Sequence, residues 1–490
     1  MAQGGIKKGF FFYFGLFVLL LISVFLICLV IMMFNPGKTV LWMQYFTADS
    51  EKHYTKTTDD GSMIDYSTIN KIEIEATYAN ISVQKNAEYT EKQEGLIIIN
   101  KAKGFASAKK AVHYDVSITK SGSTLKVKVT EPTGFLYFSK NIEIILNANH
   151  ETATNWANVD FVARTTDGDI EIGGVNHLKA KTVHLKSIDL KATGKGNITL
   201  EKMLDVSNAN SVKLSTNKGD ISSSMDVGGK VGISSNSDTI LETNSGVIKF
   251  ERLSVASGRS LHILCRSGDV KIGEITADKV DVHCVQGNYV FDTINGNLSY
   301  TNSEDTIISP NILVTKLVSG DFTLTTDGNS NANPDVEIKE VGGDITVIAD
   351  KGHLEVAKAH GAVSVNSKDN LYVGIIFADT SASNAITISN VKGDVDLGFL
   401  GSMAGTVEVI TNGDIEIKVT SAAKFVSEAL VNNGSGDRVD KSKIKVSTNL
   451  SEGRELNPLS VNGTSANSWA MTLKTNAKIK YTLVEASALA

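Results

Sequence analysis

From Ile69 onward the chain alternates apolar and polar side chains with a period of two. Lys71-Ile-Glu-Ile-Glu75, Leu125-Lys-Val-Lys-Val129 and Asn141-Ile-Glu-Ile-Ile145 each turn one row of side chains inward and the other to water. That is the pattern of half-buried strands. Past Thr47 no long stretch keeps a 3.6-residue period. Lys101–Ala111 alone predicts a helix, and Gly104 interrupts it. The N-terminus differs: Phe10 to Phe34 is 25 residues without a charge. A helix of that length, at ~1.5 Å per residue, crosses a ~30 Å hydrocarbon core. Asn35-Pro36-Gly37 ends it, because Pro and Gly break helices. A cleaved signal peptide competes, but its apolar core is about 7–15 residues long and ends in small residues. Lys7 and Lys8 precede the run and only Lys38 follows closely, ahead of Asp49 and Glu51. The positive-inside rule then predicts a cytoplasmic N-terminus, with residues 38–490 on the far side of the membrane.

A five-residue phrase returns along the rest of the chain. Gly168-Asp-Ile-Glu-Ile172 reappears as Gly268-Asp-Val-Lys-Ile272, Gly343-Asp-Ile-Thr-Val347, Gly393-Asp-Val-Asp-Leu397 and Gly413-Asp-Ile-Glu-Ile417. Looser copies start at Gly196, Gly219, Gly287, Gly296 and Gly320. Many intervals fall between about 18 and 28 residues, a range typical of repeat folds. Gly supplies a positive φ for the turn, Asp or Asn caps it, and the apolar-polar-apolar triplet opens the next strand. Two copies align without a gap. Leu261 lies over Val280, Ile263 over Val282, Cys265 over Cys284, Gly268 over Gly287, Val270 over Tyr289 and Ile272 over Phe291, an offset of 19 throughout. The prediction is an all-β parallel β-helix (β-solenoid) behind an N-terminal transmembrane α-helix. Its coils lie ~4.8 Å apart, so about ten make a rod on the order of 50 Å long.

The predicted organisation is a cytoplasmic 1–9, a membrane helix 10–34, a polar linker 35–66, a leading β-layer or cap 67–160, repeats 161–420, and closing strands with a cap at 421–490. Composition agrees with it. In 490 residues there are 41 Gly and 5 Pro, the balance of many strands joined by Gly turns rather than of helices. A net charge of −6 and the absence of a basic patch or finger motif argue against a nucleic-acid partner.

Candidate chemistry is sparse. Three Cys, at 28, 265 and 284, are too few for a disulfide framework and fit no zinc spacing. Cys28 reads as a lipid-facing or packed residue. Cys265 and Cys284 share a register. Adjacent parallel strands at ~4.8 Å bring their Cα atoms within disulfide range, while a stacked pair of free core thiols is the alternative. His262 and His283 fall on the opposite face from the Cys in their own strands, so no tetrahedral site converges. The corner ladder is Gly168, Asp169, Gly219, Asp220, Gly268, Asp269, Gly320, Asp321, Gly343, Asp344, Gly393, Asp394, Gly413 and Asp414. As a column its carboxylates could take Ca²⁺, but the Gly-Gly-x-Gly-x-Asp nonapeptide is absent and turn capping accounts for them. No cofactor or metal is expected. No Gly-x-Ser-x-Gly, His-Glu-x-x-His or phosphate loop occurs. Acidic residues are spread evenly, so the paired carboxylates of glycoside hydrolysis do not stand out.

Ile69–Gln84, with its Ile-x-Ile and Ile-Ser-Val strands, the strand Asn141–Asn147 and the Gly-Asp-Ile-x-Ile ladder together resemble the bacterial adhesin-like family of membrane-anchored β-solenoid proteins. The likeness covers roughly residues 66–420. It departs at Leu146-Asn147-Ala148, where the family often has a Pro. The resemblance implies a solenoid at the cell surface and carries over no catalytic residue. The expected function is therefore a non-catalytic, adhesin-like or structural surface protein, with a polysaccharide-cleaving enzyme on the same scaffold as the alternative. Expected partners are the lipid bilayer through residues 10–34, a cell-wall or surface glycan or protein, and further copies of the chain.

Overall fold

The structure is a computed structural model. It describes residues 5–34, 39–40, 43–54, 57–84, 95–107, 113–131, 136–147, 158–173, 182–201, 203–206, 211–223, 232–301, 309–326, 331–378, 383–390, 392–401, 404–421, 425–431, 444–446, 459–461 and 469–489. Strands dominate, and a 37-stranded hydrogen-bonded sheet takes in every one of them. An N-terminal helix, Gly5–Phe34, precedes them.

The strands stack in parallel columns. In the first column Asp160–Thr165, Ser187–Ala192, Val212–Thr216, Thr239–Thr243 and Ser260–Ser267 pair in succession. The next layer is the stretch Lys279–Gln286 of the long strand Val270–Thr301. The end of that strand follows it, Tyr300 Oη donating to the Cys284 carbonyl at 2.7 Å, and Phe322–Thr325, Ile345–Ile348, Val363–Ser367 and Ser383–Asn390 then pair in turn. The second column runs Ala79–Gln84, Ile170–Ile172, Ile198–Leu200, Ile221–Ser223 and on into Ile248–Val255. A third, shorter column joins Thr182–His184, Met203–Val206 and Gly232–Ser235. The aligned pair of copies falls in adjacent strands: Leu261 pairs Val280, Ile263 pairs Val282 and Cys265 pairs Cys284, all parallel.

Like side chains therefore lie over like. The inward positions Leu261, Ile263, Val280, Val282, Tyr289 and Phe291 are 2 % exposed or less. They belong to one apolar cluster that continues from Ile64 to Tyr481. No single layer can enclose such a core. Each buries its apolar row only against the layers above and below.

Both ends depart from simple succession. Lys71–Ala76 lies between Thr124–Thr130 and Asp160–Thr165. The outer layers there are antiparallel: Asp115–Ser121 against Thr124–Thr130, and Gly95–Ala106 between Met43–Tyr54 and Leu136–Asn147. Two expectations change here. The helix expected over Lys101–Ala111 is a strand as far as Ala106, since pairing with two antiparallel partners overrides the intrinsic helical preference of Lys and Ala; residues 108–111 lie outside the described residues. The stretch read as a linker contains the strand Met43–Tyr54, whose Tyr45 ring packs edge-on to Phe105 at 5.4 Å. At the other end Trp469–Thr475 inserts between Ala404–Thr411 and Phe425–Val431.

Among the described residues no helix is long and apolar enough to cross a membrane. The N-terminal helix has 30 residues, but its described side chains run unbroken only from Phe12 to Cys28. From Phe12 to Ile27 these are exposed, Tyr13 at 70 % and Phe12 at 67 % among them.

Candidate binding surface

The corners fix how the outer faces are presented. Gly168, Gly196, Gly219, Gly246, Gly268 and Gly287 stack along one corner, each against the backbone carbonyl of the one before. Pro310, in register with Gly287, continues it. Gly352, against the Pro334 carbonyl, and then Leu371, Gly393 and Gly413 complete it. Gly296, Gly320, Gly343 and Gly361 stack along a different corner, at the start of the first column. The repeated phrase thus marks two corners rather than one. The signal for this was legible: Gly287 and Gly296 are nine residues apart, too close to be one full repeat.

The role assigned to Gly also changes. Of these glycines only Gly287 (φ 129°), Gly296 (φ 149°) and Gly352 (φ 132°) lie at positive φ. At most of the others a Cβ would overlap a backbone carbonyl oxygen of the neighbouring layer, and at Gly320 and Gly343 it would meet the side-chain oxygens of Asn297 and Asp321.

The Asp and Asn that follow bond between layers, not within their own turn. Asp169 Oδ1 accepts the Asn197 N–H at 2.8 Å, Asn197 Oδ1 accepts that of Asp220 at 2.8 Å, and Asp220 Oδ1 that of Val247 at 2.8 Å. Asp269 serves Asn288 at 2.9 Å. At the second corner Asn297, Asp321 and Asp344 accept from Asp321, Asp344 and Ala362 at 2.8 Å each. Asp394 and Asp414 continue the first corner, accepting from Asp414 at 2.7 Å and Lys478 at 3.0 Å. The alternation of Asp and Asn follows from this: the bond uses a side-chain oxygen, which both supply. No group of three or more His, Cys, Asp or Glu is placed to hold a metal among the described residues.

Cys265 and Cys284 are register partners, both buried, with no disulfide between them. Their place in the column explains them. Thr165, Ala192, Thr216, Thr243, Cys265 and Cys284 occupy one inward position in successive layers. Thr243 Oγ1 donates to the Gly219 carbonyl at 3.2 Å and accepts the Gly246 N–H at 2.9 Å. Cys265 Sγ makes the matching donation to the Gly246 carbonyl at 3.8 Å. The thiol stands in for a hydroxyl. Burial pushes Cys265 up to about 11 and Cys284 higher still, so both stay protonated and poorly nucleophilic near neutral pH. The expected result is that Cys265→Thr leaves the thermal midpoint unchanged, while Cys265→Val, which has no donor, lowers stability by about 1 kcal/mol.

His262 and His283 lie on the outer face, as their alternation with the Cys predicts. His262 Nδ1 sits 3.4 Å from Asp281, and His283 Nδ1 is 2.9 Å from the Thr301 carbonyl. Two open grooves run beside these faces. One, of about 450 Å³, follows the end of the first column past Lys191, Ser215, Glu242, Leu264, Arg266 and His283. Its one carboxylate, Glu242, is bonded to Ser215 and paired with Lys213 at 3.2 Å. The other, of about 480 Å³, is lined in part by Glu251, Glu274 and Asp292. Two of the three are ion-paired, Glu274 to Arg252 and Asp292 to Lys316.

No protein-family model matches the chain, and no curated protein matches its sequence. Among solved structures it is similar to a candidate cell adhesion protein from Clostridium sporogenes, at 6 % identity and TM-score 0.16 over 89 % of this chain and 99 % of that one. It is also similar to a candidate adhesin from Bacteroides fragilis, at 14 % identity and TM-score 0.21 over 70 % and 98 %. A candidate lipid binding protein from Parabacteroides distasonis gives 10 % identity and TM-score 0.15 over 89 % and 96 %. At these TM-scores none of the three lends its role to this chain.

Proposed function

We propose that the chain is a membrane-anchored, extracytoplasmic surface protein. In this reading the parallel columns are the faces of a β-solenoid that displays an extended binding or supporting surface, and no reaction is catalysed. The observation that carries it is the contrast between the two parts. The strands bury their apolar rows almost completely, whereas the helix exposes Phe12 to Ile27 on all sides. Large contiguous apolar surface left uncovered marks a contact with membrane or partner. The uncharged run from Phe10 to Phe34 favours the membrane. Glu242, Glu274 and Asp292 in the two grooves are engaged in ion pairs or hydrogen bonds, which favours binding over acid–base chemistry.

Flotation with phospholipid vesicles tests the anchor. The full chain should float with the vesicles at high salt and at alkaline pH. Leu20→Arg combined with Val24→Arg should stay at the bottom, since a central Arg costs about 2.5–3.5 kcal/mol on insertion. Protease added outside right-side-out cells should cut residues beyond 38 and spare the N-terminus. Wild-type protein released from the vesicles by an alkaline wash would rule the anchor out.

A further inference from the structure

We propose that the outward face of the first column between Ser299 and Ser389 is a binding site for an uncharged, extended polysaccharide. This rests on the surface-binding reading above and not on the membrane anchor. Two uncharged rows, polar except for Ile348, lie in register there. Ser299, Thr323, Thr346, Ser364 and Thr387 are successive partners across five parallel strands. Two residues on, Thr301, Thr325, Ile348, Asn366 and Ser389 form the second row. The inward residues between them, Tyr300, Leu324, Val347, Val365 and Ile388, are 1 % exposed or less, so the backbone beneath is fixed by the core.

The earlier layers of this column show what such a face looks like when it serves only the fold. There charged side chains stand among uncharged ones such as Val162, Ile240 and Leu264, and pair across or along the strands: Arg164 pairs Asp189 at 3.3 Å, Lys213 pairs Glu242 at 3.2 Å, and Lys279 pairs Asp281 at 2.8 Å. After Asp281 the charges stop. Across the next five layers the two rows carry no charge. Among the described residues, the side chains of Ser299, Thr323, Thr346, Ser364 and Thr387 make no hydrogen bond that would occupy them. Thr is a good strand former, which alone accounts for single Thr residues on a solvated face. It does not account for Ser299 and Ser364 in the same row, nor for the loss of every ion pair at once.

The chemistry of the face selects its ligand. Hydroxyls both donate and accept, so they match other hydroxyls and have no preference for ions. The rows repeat every ~4.8 Å along the stack and about 7 Å across it, the strand spacing and twice the rise per residue. A ligand with hydroxyls repeated along an extended chain engages several layers together, and each contact after the first is intramolecular. Thr323, Thr346 and Thr387 are β-branched, with restricted χ1, so little side-chain freedom is lost on binding. An extended β-linked glycan without charged groups meets each condition.

Co-sedimentation of the detergent-solubilised full chain with amorphous cellulose and with chitin particles tests this. Wild-type protein should sediment with at least one of them. Thr346→Lys and Thr387→Lys should each weaken retention by at least about tenfold, equivalent to one well-placed contact. Lys213→Thr, outside the face, should leave it unchanged. Thr346→Val keeps the β-branched shape, so its weaker retention would separate loss of the hydroxyl from loss of folding. Wild-type protein retained by neither polymer, or variants retained as well as wild type, would overturn the assignment. So would arrest of ice-crystal growth by a protein that no glycan retains, which would give the face to ordered water. Vesicle flotation is independent of each of these results.

Discussion

Gly219→Ala is expected to destabilise the protein by about 3 kcal/mol, far more than a surface substitution. The added methyl group would meet the Gly196 carbonyl oxygen well inside van der Waals contact, with the Asn197 backbone nitrogen at 3.1 Å behind it. Neither is the end of a flexible side chain, so the layers must separate. That separation stretches the bond from the Asp220 N–H to Asn197 Oδ1, now 2.8 Å. Gly122→Ala supplies the comparison. Gly122 has a φ of 60° but nothing within 4 Å of an added Cβ, so only the left-handed backbone opposes the change, at about 1–2 kcal/mol. Denaturant midpoints of the two variants decide between close approach and backbone conformation. Equal losses would refute the stacking account. Asp220→Asn should fall within about 0.5 kcal/mol of wild type, because an amide oxygen already does the same task at Asn197 and Asn297.

The second large effect lies in the core. Phe377 and Phe399 are register partners with ring centroids 5.1 Å apart and planes 13° from parallel. Each is 1 % exposed or less. Phe377→Ala should cost about 3–5 kcal/mol, through lost transfer energy and the cavity left behind. Phe399→Ala should cost a similar amount. The double variant should lose less than the sum by about 1 kcal/mol, because the stacked pair can be broken only once. Strict additivity in chemical denaturation would show that the rings pack independently.

Much of this layout was legible because a repeat forces like residues together. The offset of 19 that places Leu261 on Val280 is also the observed strand pairing. What escaped sequence reading has physical causes. Gly was assigned to the positive-φ turn, its commonest use, but Gly219 is needed for close approach between layers, which depends on a partner 23 residues earlier. Asp169 was expected to cap its own turn, but its acceptor oxygen reaches the N–H of Asn197, and local spacing does not reveal that direction. The position three residues before several corner glycines, Thr165, Thr216, Thr243, Cys265 and Cys284, carried a signal that went unread. Aligned as one column, it shows Cys standing where Thr stands elsewhere, and the register of the two thiols then needs no bond between them. The hydroxyl rows were hidden for the opposite reason. Ser299 and Thr387 are unremarkable in sequence and become a surface only when five strands are laid side by side.

The order of layers at the far end bears on how the chain is made. Trp469–Thr475 lies inside Phe425–Val431, although it leaves the ribosome later. As the chain emerges at ~5–20 residues per second, the exposed edge of Ala404–Thr411 meets Phe425–Val431 first. A strand docked there would occupy the slot that belongs to Trp469–Thr475 and would have to be expelled. Closure of this end therefore awaits the emergence of Trp469–Thr475, which enters as a wedge between two strands made before it.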